Sequence, residues 1–304
     1  MTTANATTVA VVSDTHFWPG AQVSFGGQEE QLQPWSEEIH RTFLAEIRRL
    51  APDYLIHLGD FSCGGGVFNM PVEAFCATVI QLHQDYRNLP LAYHAIPGNH
   101  DCPQGATDYS FIEQLLGLPA RQGCTIDLPW ARLVLLNAQG HSQEQMEAAL
   151  PNDPIYGWVD DQELARLERE LAGAGERPVI LLTHQLLRPW SNGQHWADFY
   201  AIRNREAVLA IMAQHGNVRA VIQGHAHLLD AQQASVGGHP VHFIVNPSLI
   251  QYPLGWLLLT FQEKEMTVQY RPLPLPALRA HSLEAAPDST WRYNPEATSL
   301  HIPL

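Results

Sequence analysis

Residues 9–16 read VAVVSDTH: a four-residue apolar run closed by Ser13, Asp14, Thr15 and His16. A short unbroken apolar run bounded by polar residues reads as a core strand. The same phrase recurs downstream. Residues 54–58 stop at Gly59 and Asp60, and residues 91–96 stop at Pro97, Gly98, Asn99 and His100. Residues 179–182 stop at Thr183 and His184, and residues 218–222 run into Gly224, His225, Ala226 and His227. Between these runs lie stretches of helical period. In 36–50, Ile39, Phe43, Ile47 and Leu50 recur three and four apart, with Ser36 as the expected cap. Helices are also expected at 71–86 with Pro71 in the first turn, at 111–116, at 160–171, and at 203–213 with Asn204 as cap. A strand is expected at 131–136. Strands alternating with helices predict an α/β architecture. The later strands, 242–245, 255–261 and 266–271, lack helices between them, so the sheets are expected to be mixed.

From 272 to 276 the chain turns proline-rich. The expected division is a catalytic domain over 1–271 and a proline-containing tail over 272–304. The tail is expected to be irregular and packed along the surface or across a partner, which leaves a homodimer open.

The chain has 304 residues, enough for one large core. Its 31 carboxylates outnumber 17 Lys and Arg, for a formal charge of -14. Such a balance offers no basic stripe to a nucleic-acid polymer, which is therefore not an expected partner. The N-terminus lacks a basic segment followed by an apolar run, and no stretch reaches membrane-spanning length, so no membrane insertion is expected. Cys63, Cys76, Cys102 and Cys124 fit neither a close zinc pair nor a disulfide framework. Reduced thiols and a cytoplasmic location are the expectation.

The strand endings carry the chemistry. A lone His beside a strand usually packs or faces water, but here Asp14, His16, Asp60, Asn99, His100, His184, His225 and His227 all follow apolar runs at once. Open α/β sheets bind ligands outside the carboxyl ends of their strands, where these residues would converge. Carboxylate, imidazole and amide oxygen together suit Zn, Mn or Fe. Only a carboxylate bridges two cations well, and Asp60 stands between the other ligands in chain order. Two cations about 3.5–4 Å apart can clamp the attacking and leaving oxygens of an in-line displacement.

The motifs Asp14-x-His16, Gly59-Asp60, Gly98-Asn99-His100-Asp101, His184 and Gly224-His225-Ala226-His227 resemble the full signature of the calcineurin-like metallophosphoesterases, in family order from 14 to 227. The segment 246–253, NPSLIQYP, is similar to the bacterial branch that includes cyclic-nucleotide and glycerophosphodiester phosphodiesterases. The resemblance implies two packed mixed sheets flanked by helices, an αββα sandwich. It implies two transition-metal ions (Mn, Fe or Zn), one held by Asp14, His16, Asp60 and His227, the other by Asp60, Asn99, His184 and His225. Asp60 and a hydroxide would bridge them, and the hydroxide would attack the phosphorus. His100 would face the substrate, stabilise the transferring phosphoryl group and protonate the leaving oxygen. The expected partner is a small phosphate ester, preferably a diester. A phosphomonoesterase or protein phosphatase is the alternative, and a non-catalytic scaffold the remote one, which no missing ligand supports.

Many family members place an acid three residues after the bridging Asp, where it steadies the histidine. Here that position is Cys63, a thiol expected to be structural, and Asp101 is the other group that could orient His100. Gly59, Gly98 and Gly224 are expected to permit the strand-to-loop turns. Phe17, Trp18, Phe25 and Trp35, and Trp190, His195, Trp196 and Tyr200, either wall a substrate cleft or pack together as a cap. Arg188 either contacts phosphate or is a surface charge.

Overall fold

In the computed structural model, which describes residues 6–25, 29–65, 67–104, 108–140, 155–191 and 197–304, β1 (Thr7–Val12) lies inside a sheet. Among the described residues this sheet has six strands in the order β12 (Ser299–Pro303), β11 (Glu265–Pro272), β10 (Gly255–Phe261), β1, β2 (Tyr54–His57) and β3 (Ala92–Ala95). β1, β2 and β3 run parallel, whereas β10, β11 and β12 join by antiparallel pairing. The second sheet runs β4 (Cys124–Asp127), β5 (Arg132–Leu136), β6 (Val179–Thr183), β7 (Val218–Gln223), β9 (His239–Val245) and β8 (Asp230–Val236). Its central strands are parallel and its two edge strands antiparallel.

Alternation along each strand explains the layering, since successive side chains point to opposite faces. Val9 and Val11, with Ile56 and Leu58, pack between the sheets against Leu133, Leu135, Ile180 and Leu182. Ala10, Val12 and Leu55 turn outward onto Ile39, Phe43 and Ile47 of α1 (Ser36–Leu50) and onto Val79 and Leu82 of α2 (Val72–Arg87). On the far side Val134, Leu136, Val179 and Leu181 meet Leu167 and Leu171 of α4 (Asp161–Ala174) and Val208 and Met212 of α5 (Arg205–His215). The short α3 (Ser110–Leu116) adds Ile112 to the first outer layer. The central strands of each sheet are buried on both faces and have continuous apolar runs. The architecture is the expected sandwich of two mixed sheets between helices. Among the described residues, no helix is long and apolar enough to cross a membrane.

Several local expectations differ from the structure. Ser36 is the first residue of α1 and does not cap it; its hydroxyl bonds the Trp18 backbone at both N (3.2 Å) and O (3.1 Å), pinning the loop after β1. Asn204 stands just before α5, but its carboxamide exchanges two hydrogen bonds with the Val159 backbone. Pro71 precedes α2 and lies outside its first turn. β4 and β8 were not expected: β4 is four residues long, and β8 is a largely polar edge strand with no apolar run. The tail is not irregular. It forms α6 (Pro276–Ala285) and then β12, whose Ile302 pairs with Met266 and enters the core between the sheets. β12 completes the open edge of β11 with backbone hydrogen bonds, a partner that composition alone does not reveal.

Candidate metal centre

The loops after the parallel strands interlock. Asp14 N donates to Gly59 O (2.9 Å), and Thr15 N and His16 N donate to Asp60 O (2.8 and 3.1 Å). His57, buried and pushed down to about 3 by burial, bonds Thr15 Oγ1 at 2.6 Å and accepts from Gly59 N at 3.0 Å. Gly59 (φ +107) and Gly98 are there chiefly because the two backbones touch: a Cβ on Gly59 would lie 2.1 Å from Gly98 N, and one on Gly98 would lie 2.3 Å from Asp60 Oδ1. Asp14, His16, Asp60, His225 and His227 all take positive φ, between 39° and 67°. Non-glycine residues held there cost about 1–3 kcal/mol each, and such strain gathers at functional sites.

Together these loops bring all seven expected metal ligands to one place. Single donor atoms of Asp14, Asp60, His184 and His225 lie within 4.8 Å of one another, as do those of Asp14, His16 and His227. Neighbouring donors are 3.0–3.6 Å apart: His184 Nε2 to Asn99 Oδ1 3.0 Å, His16 Nε2 to His227 Nε2 3.1 Å, His184 Nε2 to Asp60 Oδ2 3.2 Å, His227 Nε2 to Asp14 Oδ1 3.3 Å, and His16 Nε2 to Asp60 Oδ2 3.6 Å. Donors about 2.0–2.1 Å from one cation stand roughly 2.9–3.4 Å apart in octahedral to tetrahedral arrangements. Asp14 Oδ1, Asp60 Oδ2 and His225 Nε2 are buried without a hydrogen bond. Buried polar atoms are normally paired, and these orphans meet where a cation would pair them. Asp60 Oδ2 is within reach of one imidazole from each side, His16 and His184.

The electrostatics fit the same reading. Burial pushes His16 and His225 down to about 3, so they are neutral imidazoles with a lone pair to offer. Burial opposes ionisation of Asp14 and Asp60, but the facing histidines outweigh it and hold both carboxyls well below the usual range. His184 goes the other way: burial is outweighed by Asp60, Asp14 and Asp101, raising it to about 9. A proton there stands where a cation would neutralise the same carboxylates. His184 Nδ1 lies 3.0 Å from Leu58 O and His227 Nδ1 lies 2.7 Å from Gln251 Oε1, which turns each Nε2 toward the centre. The residues therefore form two clusters able to hold a dinuclear metal centre.

His100 stands beside the centre, its ring 5.1 Å from that of His16. Its backbone N donates to Asp60 Oδ1 (2.7 Å) and its Nδ1 lies 3.1 Å from Gly64 O. Asp101 does not orient it. That carboxylate accepts from the backbone N of Asp60, Phe61 and Gly98, each at 2.8 Å, and braces the Asp60 loop. Cys63 donates to His16 O (3.3 Å), and burial pushes its thiol well up, so it is an inert structural thiol. The carbonyl of Gly64 thus holds the ring that an acid holds in many relatives.

An open cleft lies over this centre, lined by His16, Asp60, Asn99, His100, His225 and His227. Of the aromatic residues expected as walls, Phe25 and Tyr200 line it. Phe17 is buried against His40, Trp18 and Trp35 pack on the outer core, and Trp190 stacks on Trp291. His195 and Trp196 lie outside the described residues. Arg188 is not in the cleft; its Nε donates to Gln232 Oε1 and its guanidinium lies over Phe243. The cleft's Lys or Arg, among the described residues, is Arg292 from the tail, unanticipated because nothing in sequence ties 292 to the strand endings. Phe68, Val67, Ile155, Gln31 and Gln251 were likewise missed as lining.

Comparison with known proteins agrees with this geometry. The family model described as calcineurin-like phosphoesterase matches residues 7–229. A 3',5'-cyclic-nucleotide phosphodiesterase of Nostoc sp. is 26% identical over 302 residues, 97% of this chain and 94% of that protein. A glycerophosphodiester phosphodiesterase of Enterobacter lignolyticus is 28% identical over 142 residues, 45% of this chain and 46% of that one. The solved structure of a dimetal phosphatase from Danio rerio aligns with a TM-score of 0.68 at 18% identity, covering 88% of this chain and 96% of that one, a likeness of fold.

Proposed function

The chain belongs to the calcineurin-like phosphoesterase family, and on that premise we propose that it hydrolyses a small phosphodiester of the cyclic-nucleotide or glycerophosphodiester type. The observation that carries this reading is the set of orphaned, closely spaced donors on the floor of a cleft that also contains His100. Asp14, His16, Asp60 and His227 would hold one ion, and Asp60, Asn99, His184 and His225 the other, with Asp60 between them. Their mixed nitrogen and oxygen donors suit Mn, Fe or Zn. Two such ions supply Lewis acidity that offsets phosphate charge and makes a water oxygen nucleophilic at neutral pH.

The chain's own residues do the rest. With His100 Nδ1 committed to the Gly64 carbonyl, the proton given to the leaving oxygen comes from Nε2. Arg292 offers a positive charge to the ester in an otherwise acidic protein. Phe25, Val67 and Ile155, exposed by 38%, 44% and 45%, line the cleft beside Phe68 and Tyr200. Apolar side chains left in water at a cleft favour a substrate with a flat or apolar part, such as a nucleobase. The similarity to the Nostoc phosphodiesterase, along nearly the whole of both chains, supports a diester. The cysteines, free thiols, fit a reducing, cytoplasmic setting.

The test is a panel of kcat/KM values on Mn-loaded protein with a cyclic nucleotide, an aryl diester, a glycerophosphodiester and the matching monoesters. Diesters are expected to lead, those with an aromatic group above the glycerol ester. Monoesters turning over fastest would replace the diester reading with a phosphatase.

A further inference from the structure

His227 can serve as a ligand through Nε2 only if its ring proton sits on Nδ1, and that proton needs an acceptor. The acceptor is Gln251 Oε1, 2.7 Å away. A carboxamide alone does not settle the matter, because a flipped Gln251 would present its NH2 to Nδ1 and drive the proton to Nε2. What fixes the orientation lies one link further out. Gln251 Nε2 donates to Glu30 Oε1, and a carboxylate accepts without being able to donate. The NH2 of Gln251 must therefore face Glu30, and its oxygen must face His227.

Glu30 is in turn held from the tail. Ser289 Oγ donates to its Oε1 (2.9 Å), and Arg292 Nε stands 3.3 Å from the same oxygen. Ser282 of α6 donates to Glu30 O at 2.5 Å and accepts from Tyr252 N at 2.9 Å, tying the two loops together. Arg292 Nη1 closes the ring by donating to Ala226 O (3.0 Å), on the loop that carries His227.

We propose that Glu30 is a positioning residue for the metal ligand His227, acting through Gln251, and that Ser289 and Arg292 of the C-terminal segment hold it in place. This rests on the metal-centre reading. It makes a segment outside the strand-end motifs a determinant of how tightly one of the two ions is held.

The test is Glu30→Leu in the full chain, a change of similar size that removes the oxygen on which Gln251 Nε2, Ser289 Oγ and Arg292 Nε converge. Mn2+ is titrated calorimetrically into metal-free protein at constant pH. Wild type is expected to take up two ions. In the variant, one step should weaken by about 10–100-fold, the range for removing a group that orients a metal ligand, while the other keeps its affinity. The double variant Glu30→Leu with Gln251→Glu puts a carboxylate, an acceptor that needs no orienting partner, against His227 Nδ1. It should recover the weakened step. Unchanged binding by the single variant overturns the proposal. So does equal weakening of both steps, which marks a general structural role, or a double variant that recovers nothing. A wild-type chain that takes up no Mn2+ would instead sink the metal reading itself.

Discussion

Asp60→Asn is expected to leave the circular dichroism near that of wild type while kcat/KM for a phosphodiester falls by about 10³-fold or more. The reason lies in the two oxygens of one side chain. Oδ1 accepts from His100 N, a bond that an amide oxygen preserves, so the loop keeps its anchor. Oδ2 is buried without a hydrogen bond, 3.2 Å from His184 Nε2 and 3.6 Å from His16 Nε2. Asparagine places an NH2 there, whose hydrogens point at the space between the two imidazoles. A neutral amide bridges two cations poorly. Losing their Lewis acidity forfeits several kcal/mol of transition-state stabilisation, and each 1.36 kcal/mol is a factor of ten. Metal content measured on the same preparation should fall with activity. Full turnover with both ions still bound would refute a bridging role for Asp60.

His100→Ala is expected to separate proton transfer from metal binding. Asn99, next to it, lies 3.0 Å from His184 Nε2 through its side-chain oxygen, whereas His100 reaches Asp60 only through its backbone N. Removing the imidazole should therefore keep both ions. On an alkyl diester, whose alkoxide leaves poorly without a proton, the loss should be about 10²–10⁴-fold. On a nitrophenyl diester, whose leaving group needs no proton, it should be clearly smaller. The structure sharpens the question, because a neutral carbonyl, Gly64 O, holds the ring where an acid would balance an imidazolium. If His100 acts only by stabilising the phosphoryl oxygens, the two substrates should lose alike. Loss of an ion would make His100 a ligand.

The legible parts of this protein were those in which one short stretch states both structure and chemistry. The run from Val9 to Val12 followed by Asp14 and His16 announces a core strand and its ligands at once, and the stretches ending at Asp60, Asn99, His184 and His227 do the same. What escaped lacks that local signature. β8 is an edge strand, half in water, whose Gln232, Gln233 and Ser235 give no apolar run. β12 is read as a strand only because β11 waits beside it. Ser36 and Asn204 have the chemistry of caps but found backbone partners far away in sequence. A cation in the cleft was sought at Arg188, near His184 in sequence, and among the described residues stands at Arg292, which reaches the Ala226 carbonyl 66 residues away. Gln251 lay inside a quoted motif, yet its link to Glu30 spans 221 residues and has no period or spacing to betray it.

A pair of metal ions held by seven side chains is tested most directly by counting the ions. Metal-free protein, loaded with Mn, Fe or Zn in turn and freed of excess, should retain close to two ions per chain for at least one of them, as read by elemental analysis. Retention near zero with all three would contradict the account, and the orphaned oxygens of Asp14 and Asp60 would then need another explanation.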